Sequence, residues 1–148
     1  MRLAIPRRET MRMVFICFSL CSFIPLVIGE GLPSAYDVIK RYNLPIGLLP
    51  EGVTGYNLDP NSGEFSIDLS SSCGVHAGKY KIKYSPTVTG TISENRIEGL
   101  GGVKVKIALF WIGIENVNRN GDQLEFQIGS FATKDFPVEE FDKSPECS

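Results

Sequence analysis

Apolar side chains alternate with polar ones along most of the chain after Pro50, and this pattern constrains the fold more than any other feature. Phe65, Ile67 and Leu69 alternate with polar neighbours, and the same period of two recurs as far as Ile128. Because successive side chains of a strand point to opposite faces, each such stretch predicts a strand with one buried face. Six or seven short strands are predicted, with no second helical pattern between them. The predicted fold is therefore mainly β, an antiparallel barrel or sandwich.

One short helix is predicted before the strands. Ser34 begins a Ser-x-x-acid sequence, which is typical of a helix N-terminus. Tyr36 and Ile39 follow at helical spacing, and Pro45 ends the run.

Turn-forming residues divide the strands. Residues 53–58 and 65–69 predict a hairpin around an Asp-Pro-Asn-Ser-Gly sequence, and Asn118–Asp122 predicts a second turn. Pro86 is expected to end one strand, and the glycine-rich run 99–102 is expected to form a turn.

The alternation is lost at Phe110–Ile114, where the sequence is FWIGI. A continuous apolar run predicts burial on both faces or a bulge at Gly113. Residues 131–148 mix apolar and acidic side chains, and we interpret them as a segment that covers the domain.

The N-terminal residues 1–29 predict a secretory signal peptide. Arginines precede residues 13–28, which carry no charge. This run is shorter than the roughly 20 residues that span a bilayer, and Val27 and Gly29 suit the small residues required before a cleavage site. We therefore expect cleavage near Gly29, one domain at residues 30–148, and secretion to the extracellular space of the tissue. An uncleaved anchor and residence in the endomembrane system are the alternatives.

Cleavage would leave two cysteines, Cys73 and Cys147. In an oxidising compartment an even pair predicts one disulfide, and the long loop that it closes implies about 4 kcal/mol of stabilisation. A reduced pair is the alternative. The chain has a formal net charge of −2, and losing the N-terminal arginines makes the domain more acidic. We expect no nucleic-acid partner, because that affinity depends on neutralising phosphates.

No catalytic residues are predicted. The single histidine, His76, follows Ser70–Ser72, but the chain has no Gly-x-Ser-x-Gly sequence. A triad of His76, one of these serines and Asp59 or Asp68 is an alternative that would make the protein a hydrolase. Cys73 and His76 supply only half of a zinc site, so no metal and no cofactor are expected.

Two rows of lysines are candidates for ligand binding. Lys79, Lys81 and Lys83 alternate along one predicted strand, and Lys104 and Lys106 along another. If the two strands are neighbours, these ammonium groups form a patch that attracts an anionic head group. An ordinary solvated face is the alternative.

Trp111 and Phe110 are interpreted first as core residues. Alternatively they line an apolar cavity, since a small curled sheet can hold one ligand inside.

The domain also resembles the plant family known as domain of unknown function 538. The resemblance rests on Tyr36–Ile39, Leu44–Val53, Tyr56–Asp59, Gly63–Phe65, Gly90–Ser93 and Gly102–Trp111. The sequence PIGLLPEGV at residues 45–53 is its most specific part. Many relatives carry Cys-Pro-x-Cys near the C-terminus where this chain has Ser144–Cys147, which leaves one disulfide rather than two.

The resemblance implies a plant origin and a small β-barrel with an N-terminal helix. The family has been likened to the bactericidal/permeability-increasing lipid-binding proteins, and hydrolysis of chlorophyll esters has been proposed for it. Our leading hypothesis is a secreted, non-catalytic module that binds a lipid or another amphiphile, with a membrane surface as a further partner. An ester hydrolase and a protein-interaction domain of the cell-wall space are the alternatives.

Overall fold

One helix and eight strands form most of residues 33–148, which are the residues that the computed structural model describes. The predicted signal peptide, residues 1–29, lies outside them. The helix α1 spans Ala35–Arg41, as the sequence predicts. The strands are β1 (Val53–Leu58), β2 (Glu64–Leu69), β3 (Cys73–Ala77), β4 (Tyr80–Ser93), β5 (Arg96–Ile107), β6 (Phe110–Asn120), β7 (Gln123–Ile128) and β8 (Ala132–Pro137). Two short 3₁₀ helices cover Ile46–Leu48 and Val138–Phe141.

The strands form a single antiparallel sheet in the order β1-β2-β4-β5-β6-β7-β8, and β3 pairs with β4. The mainly β, antiparallel fold with one short helix is confirmed. The sheet curls but does not close into a barrel. Its inner face carries the core, in which Leu44, Val117 and Leu124 are almost completely buried.

The strand β4 passes through Pro86 without ending, so the predicted strand boundary at this proline is wrong. On one edge β4 pairs with β3 as far as Tyr84 and with β2 from Thr87 onward. Pro86 lies between these two ladders, where no backbone N–H has to be donated.

The glycine-rich run 99–102 lies inside β5, so the prediction of a turn there is also wrong. The register between β5 and its neighbours is irregular in this region. Gly102 has a φ of 91°, and a Cβ atom there would lie 2.5 Å from the carbonyl oxygen of Thr87. These glycines allow β4 and β5 to approach closely at a bulge instead of reversing the chain.

The apolar residues 107–112 contain a hairpin turn that the sequence analysis did not identify. Ile107 pairs with Phe110, so Ala108 and Leu109 form a two-residue turn between β5 and β6. Phe110 and Trp111 are 69% and 38% exposed, so the predicted burial of this run on both faces is wrong. The register shift in β6 lies between Ile114 and Asn116 rather than at Gly113.

The antiparallel topology places three turns at one end of the sheet. These are the β3–β4 turn at residues 78–79, the β5–β6 turn at 108–109 and the β7–β8 turn at 129–131. We call this the β5–β6 end. The β1–β2, β4–β5 and β6–β7 turns lie at the opposite end.

The chain after β8 covers the open side of the sheet. Cys147 forms the predicted disulfide with Cys73 of β3, with a Cα–Cα distance of 5.1 Å. The Glu51 N–H donates to the Pro145 carbonyl at 2.8 Å, and Ser144 Oγ donates to the Ile46 carbonyl at 3.0 Å. The covering segment therefore consists of residues 138–148, because residues 132–137 of the predicted segment form β8.

A candidate ligand cavity inside the curled sheet

An apolar cavity of about 430 Å³ lies on the inner face of the sheet. The period-two pattern produces it, since every second side chain of each strand points inward. Residues of all eight strands, of α1 and of the covering segment contribute to its wall. Its deep part is aliphatic and aromatic, with Ile67, Val75, Val88, Val105, Ile114 and Phe126 among its residues. Such a wall suits the hydrocarbon part of a ligand.

The cavity opens at a mouth that carries charge. His76, Lys134, Glu140 and Lys143 line the cavity and are also exposed to solvent, so they mark its opening. Within residues 33–148 neither lysine forms an ion pair with Glu140 or another carboxylate. The mouth thus presents two ammonium groups and a carboxylate to a polar group that projects from the cavity, while His76 borders it from β3 on the face that carries Lys81.

Four aromatic rings pack together next to this mouth. The Phe136 ring lies 5.7 Å from Phe126, 6.0 Å from Tyr80 and 6.3 Å from Phe141, with edge-on geometry. Such contacts are favourable beyond the area that they bury. The rings join β4, β7 and β8 to the covering segment and make the rim apolar.

Tyr84 is a buried polar residue in the cavity wall. Its hydroxyl donates to the Leu48 carbonyl at 2.9 Å. Burial raises the pKa of Tyr84 well above its ordinary value, so the phenol stays neutral. The hydroxyl ties β4 to the 3₁₀ helix Ile46–Leu48, and Tyr36 makes a comparable bond to the Pro50 carbonyl at 2.6 Å.

The lysine rows lie on neighbouring strands, as the prediction required. Lys83 of β4 is directly opposite Lys104 of β5. Lys81 is opposite His76 of β3, and Lys79 lies in the β3–β4 turn, with its ammonium 5.6 Å from the Tyr80 ring centroid. None of these lysines belongs to the cavity wall.

Trp111 is part of this lysine surface. The ammonium groups of Lys83 and Lys106 lie 4.8 Å and 5.9 Å from its ring centroid, within reach of a cation–π interaction. Neither Trp111 nor Phe110 lines the cavity, so the structure separates the predicted binding residues from the cavity. Their role in ligand binding stays a prediction.

The alternative catalytic triad is not assembled. His76 lines the cavity, but no hydrogen bond joins it to a serine or a carboxylate of residues 33–148. Asp68 accepts a hydrogen bond from Thr87 at 3.4 Å. Asp59 lies in the β1–β2 turn, where backbone N–H groups of Asn61 and Ser62 lower its pKa. Within the same part of the chain, no three side chains gather as metal ligands.

Three of the four residues at the mouth were missed by the sequence analysis. Lys134, Glu140 and Lys143 belong to a stretch interpreted only as a covering segment. Cys147 indicated that the tail returns to the domain, but Lys134 shares a face with Phe136 and interrupts the apolar pattern, so β8 carried no clear signal. Their convergence with His76 depends on the curl of the sheet, which no local pattern specifies.

Comparison with known proteins gives a family but no described activity. The family model described as protein of unknown function, DUF538, matches residues 35–142. Uncharacterized protein At5g01610 of Arabidopsis thaliana is 26% identical over 94 residues, which are 63% of this chain and 55% of that protein. The chain thus spans about half the length of the curated relative that it matches. No solved structure matches the chain.

Proposed function

This chain belongs to the DUF538 family of proteins of unknown function, and we propose that it is a non-catalytic module that binds one amphiphilic molecule in its cavity. The observation that carries the proposal is the apolar cavity of about 430 Å³ with charged groups at its mouth. This volume lies within the range of roughly 300–1,000 Å³ that is usual for small-molecule sites. We further propose that the family is similar to the bactericidal/permeability-increasing lipid-binding proteins, which would agree with this role.

The cavity wall is apolar in its deep part and charged at its mouth. This combination favours an amphiphile over a wholly apolar or wholly polar ligand. A hydrocarbon chain in the deep part buries apolar surface at about 25 cal/mol per Å². A polar head group at the mouth stays in contact with water and meets Lys134 and Lys143. An anionic head group fits best, because the lysine charges of the mouth are not neutralised by ion pairs within residues 33–148.

We propose secretion as the location for this activity. The Cys73–Cys147 disulfide is typical of oxidising compartments, and residues 1–29 have the composition of a signal peptide. None of the helices in residues 33–148 has the length and hydropathy of a transmembrane helix.

The proposal is tested by displacement of N-phenyl-1-naphthylamine, a dye that fluoresces in apolar sites. Dye bound to the protein should be displaced by a long-chain fatty acid and not by a short-chain acid of the same charge. Val105→Phe and Val88→Phe fill the cavity from two strands and should each weaken dye binding at least tenfold. Gln123→Phe adds the same ring at an exposed position of β7 and should leave binding unchanged.

Two results would reject the proposal. One is the absence of any saturable dye or fatty-acid binding. The other is equal dye affinity in Val105→Phe, Val88→Phe and Gln123→Phe, provided that circular dichroism shows an intact sheet in each variant.

The ester hydrolase is a competing proposal with a different signature. His76 is the base that such an enzyme would require, and it lines the cavity. If the protein is a hydrolase, the His76→Ala variant should lose ester turnover and keep its affinity for the ligand. Turnover that is equal in both proteins would reject it without affecting the binding proposal.

A further inference from the structure

The large apolar side chains that are most exposed within residues 33–148 share one end of the sheet. Leu109 is 83% exposed, Phe110 and Phe131 are each 69% exposed, and Trp111 is 38% exposed. Leu109, Phe110 and Trp111 belong to the β5–β6 hairpin, and Phe131 belongs to the β7–β8 turn. We call these four residues the apolar tip.

The β7–β8 turn contacts β6 close to the apolar tip. The Gly129 N–H donates to the Gly113 carbonyl at 2.9 Å. A Cβ at Gly129 would lie 2.9 Å from the Phe131 ring and 3.1 Å from the Ile112 side chain. Phe131 therefore lies near Ile112, at the same end of the sheet as the other three residues of the tip.

The sequence of the β5–β6 turn is unusual for a solvated hairpin. Ala108 has a φ of 57°, a region where glycine or asparagine is the ordinary choice. The chain instead places alanine there and leucine at the apex. An exposed leucine in a strained turn is unfavourable in water. It is typical of a surface that contacts an apolar environment such as a membrane or a partner.

Lysines lie on β4 and β5 next to Trp111 of the apolar tip. Lys81, Lys83, Lys104 and Lys106 form a lysine cluster on β4 and β5, of which Lys83 and Lys104 are directly opposite each other. Like charges in this position repel. None of these lysines forms an ion pair within residues 33–148, although Glu115 and Asp135 lie on β6 and β8. Among the described residues, the cluster is thus a cationic surface without an ion-pair partner.

We propose that the β5–β6 end docks on an anionic lipid bilayer, with the apolar tip inserted among the head groups and the lysine cluster on the phosphates. Tryptophan and lysine are typical of a membrane interface, because the ring prefers the head-group layer while the ammonium contacts phosphate. Charge complementarity favours a bilayer that contains anionic lipid. This docking does not rest on the proposed ligand, although the cavity mouth lies beside the same end, at the β3–β4 turn and β8.

Trp111 is the single tryptophan of the chain and reports directly on this docking. The full chain is mixed with vesicles of phosphatidylcholine alone or of phosphatidylcholine with phosphatidylserine. The emission of Trp111 should shift to shorter wavelength only with the anionic vesicles, and brominated lipid should quench it. Salt should weaken the effect, because it screens the charges.

Variants separate the two parts of the surface. Leu109→Ser with Phe110→Ser should lower vesicle affinity by roughly tenfold or more. Each of Lys83→Gln and Lys104→Gln should lower it about fivefold. Lys40→Gln, an exposed position of α1, is the matched control and should have no effect. Affinity is measured from the emission of Trp111, which reports contact of the tip and not attachment through residues 13–28.

Three outcomes would overturn the proposal. They are an unchanged Trp111 spectrum with anionic vesicles, equal binding by the Leu109→Ser/Phe110→Ser variant, and burial of the tip in a dimer detected by analytical ultracentrifugation. Unchanged vesicle binding in Val105→Phe would support it, since a filled cavity should not affect docking.

Discussion

Tyr84 combines a structural role with a position in the cavity wall. Burial raises its pKa because the charged phenolate would lose its hydration. The unfolded chain therefore loses this proton at lower pH than the folded protein. The stability due to neutral Tyr84 is complete below about pH 10 and declines as the pH rises above that value.

The substitution Tyr84→Phe tests this assignment. Losing the bond to the Leu48 carbonyl should lower the free energy of unfolding by about 1–2 kcal/mol near neutral pH. The variant should also lose less stability than the wild type between about pH 9 and about pH 11. Urea titrations at several pH values measure both effects. If the free energy of unfolding fell equally with pH in the variant and the wild type, Tyr84 would not be the titrating group.

Single residues also show what the sequence could not predict. Lys83, Lys104 and Lys106 were expected to share a surface, and pairing of β4 with β5 places them together. Trp111 was expected in the core because tryptophan is apolar, but its ring lies under two lysine side chains on the outer face. Hydrophobicity alone cannot distinguish a buried ring from one that covers a surface.

At the scale of elements, period-two alternation predicted the strands well, whereas turn-forming residues predicted two hairpins correctly and two boundaries wrongly. The hairpins at β1–β2 and β6–β7 follow from Asp, Asn and Gly in their turns. The β5–β6 turn has Ala108 and Leu109 instead, so it carries no local signal. Pro86 and Gly102 were interpreted as boundaries, but they lie where a long strand changes partner or meets a neighbour closely. Such roles depend on tertiary contacts.

The covering segment depends on its disulfide. Cys73 and Cys147 are 74 residues apart, and a loop of this length implies about 4 kcal/mol of stabilisation. Replacing both cysteines by serine should lower the free energy of unfolding by about 2–5 kcal/mol. Guanidinium titration measures the loss.

The same double variant should loosen the cavity mouth, because Glu140, Lys143 and the Ser148 contacts lie in the released segment. Ser148 N–H donates to the Gly74 carbonyl at 2.8 Å, and this amide should exchange with deuterium much faster in the variant. Amides of β5 and β6 serve as the internal control. If the Ser148 amide exchanged equally slowly in both proteins, the packing of the covering segment, and not the disulfide, would hold the segment in place.

At the scale of the molecule, one edge of the cavity lies toward the same end of the sheet as the apolar tip. The mouth includes His76 and Gly78 beside the β3–β4 turn, and this turn is at the β5–β6 end. The lysine-rich strand ends lie there too. An amphiphile that leaves a docked bilayer would thus have a short path to the apolar interior.

This arrangement predicts that docking controls the rate of ligand uptake and that the cavity controls affinity. In the Leu109→Ser/Phe110→Ser variant, the affinity for a fatty acid in solution should equal that of the wild type, because neither residue lines the cavity. Transfer of a fluorescent fatty acid from phosphatidylserine-containing vesicles should be slowed about tenfold or more, in proportion to the lost vesicle binding. The Val105→Phe variant should bind anionic vesicles normally but bind the fatty acid weakly. Stopped-flow transfer and equilibrium titration measure the two quantities separately. Transfer at the wild-type rate by the tip variant would mean that ligand reaches the cavity through water, independent of membrane contact.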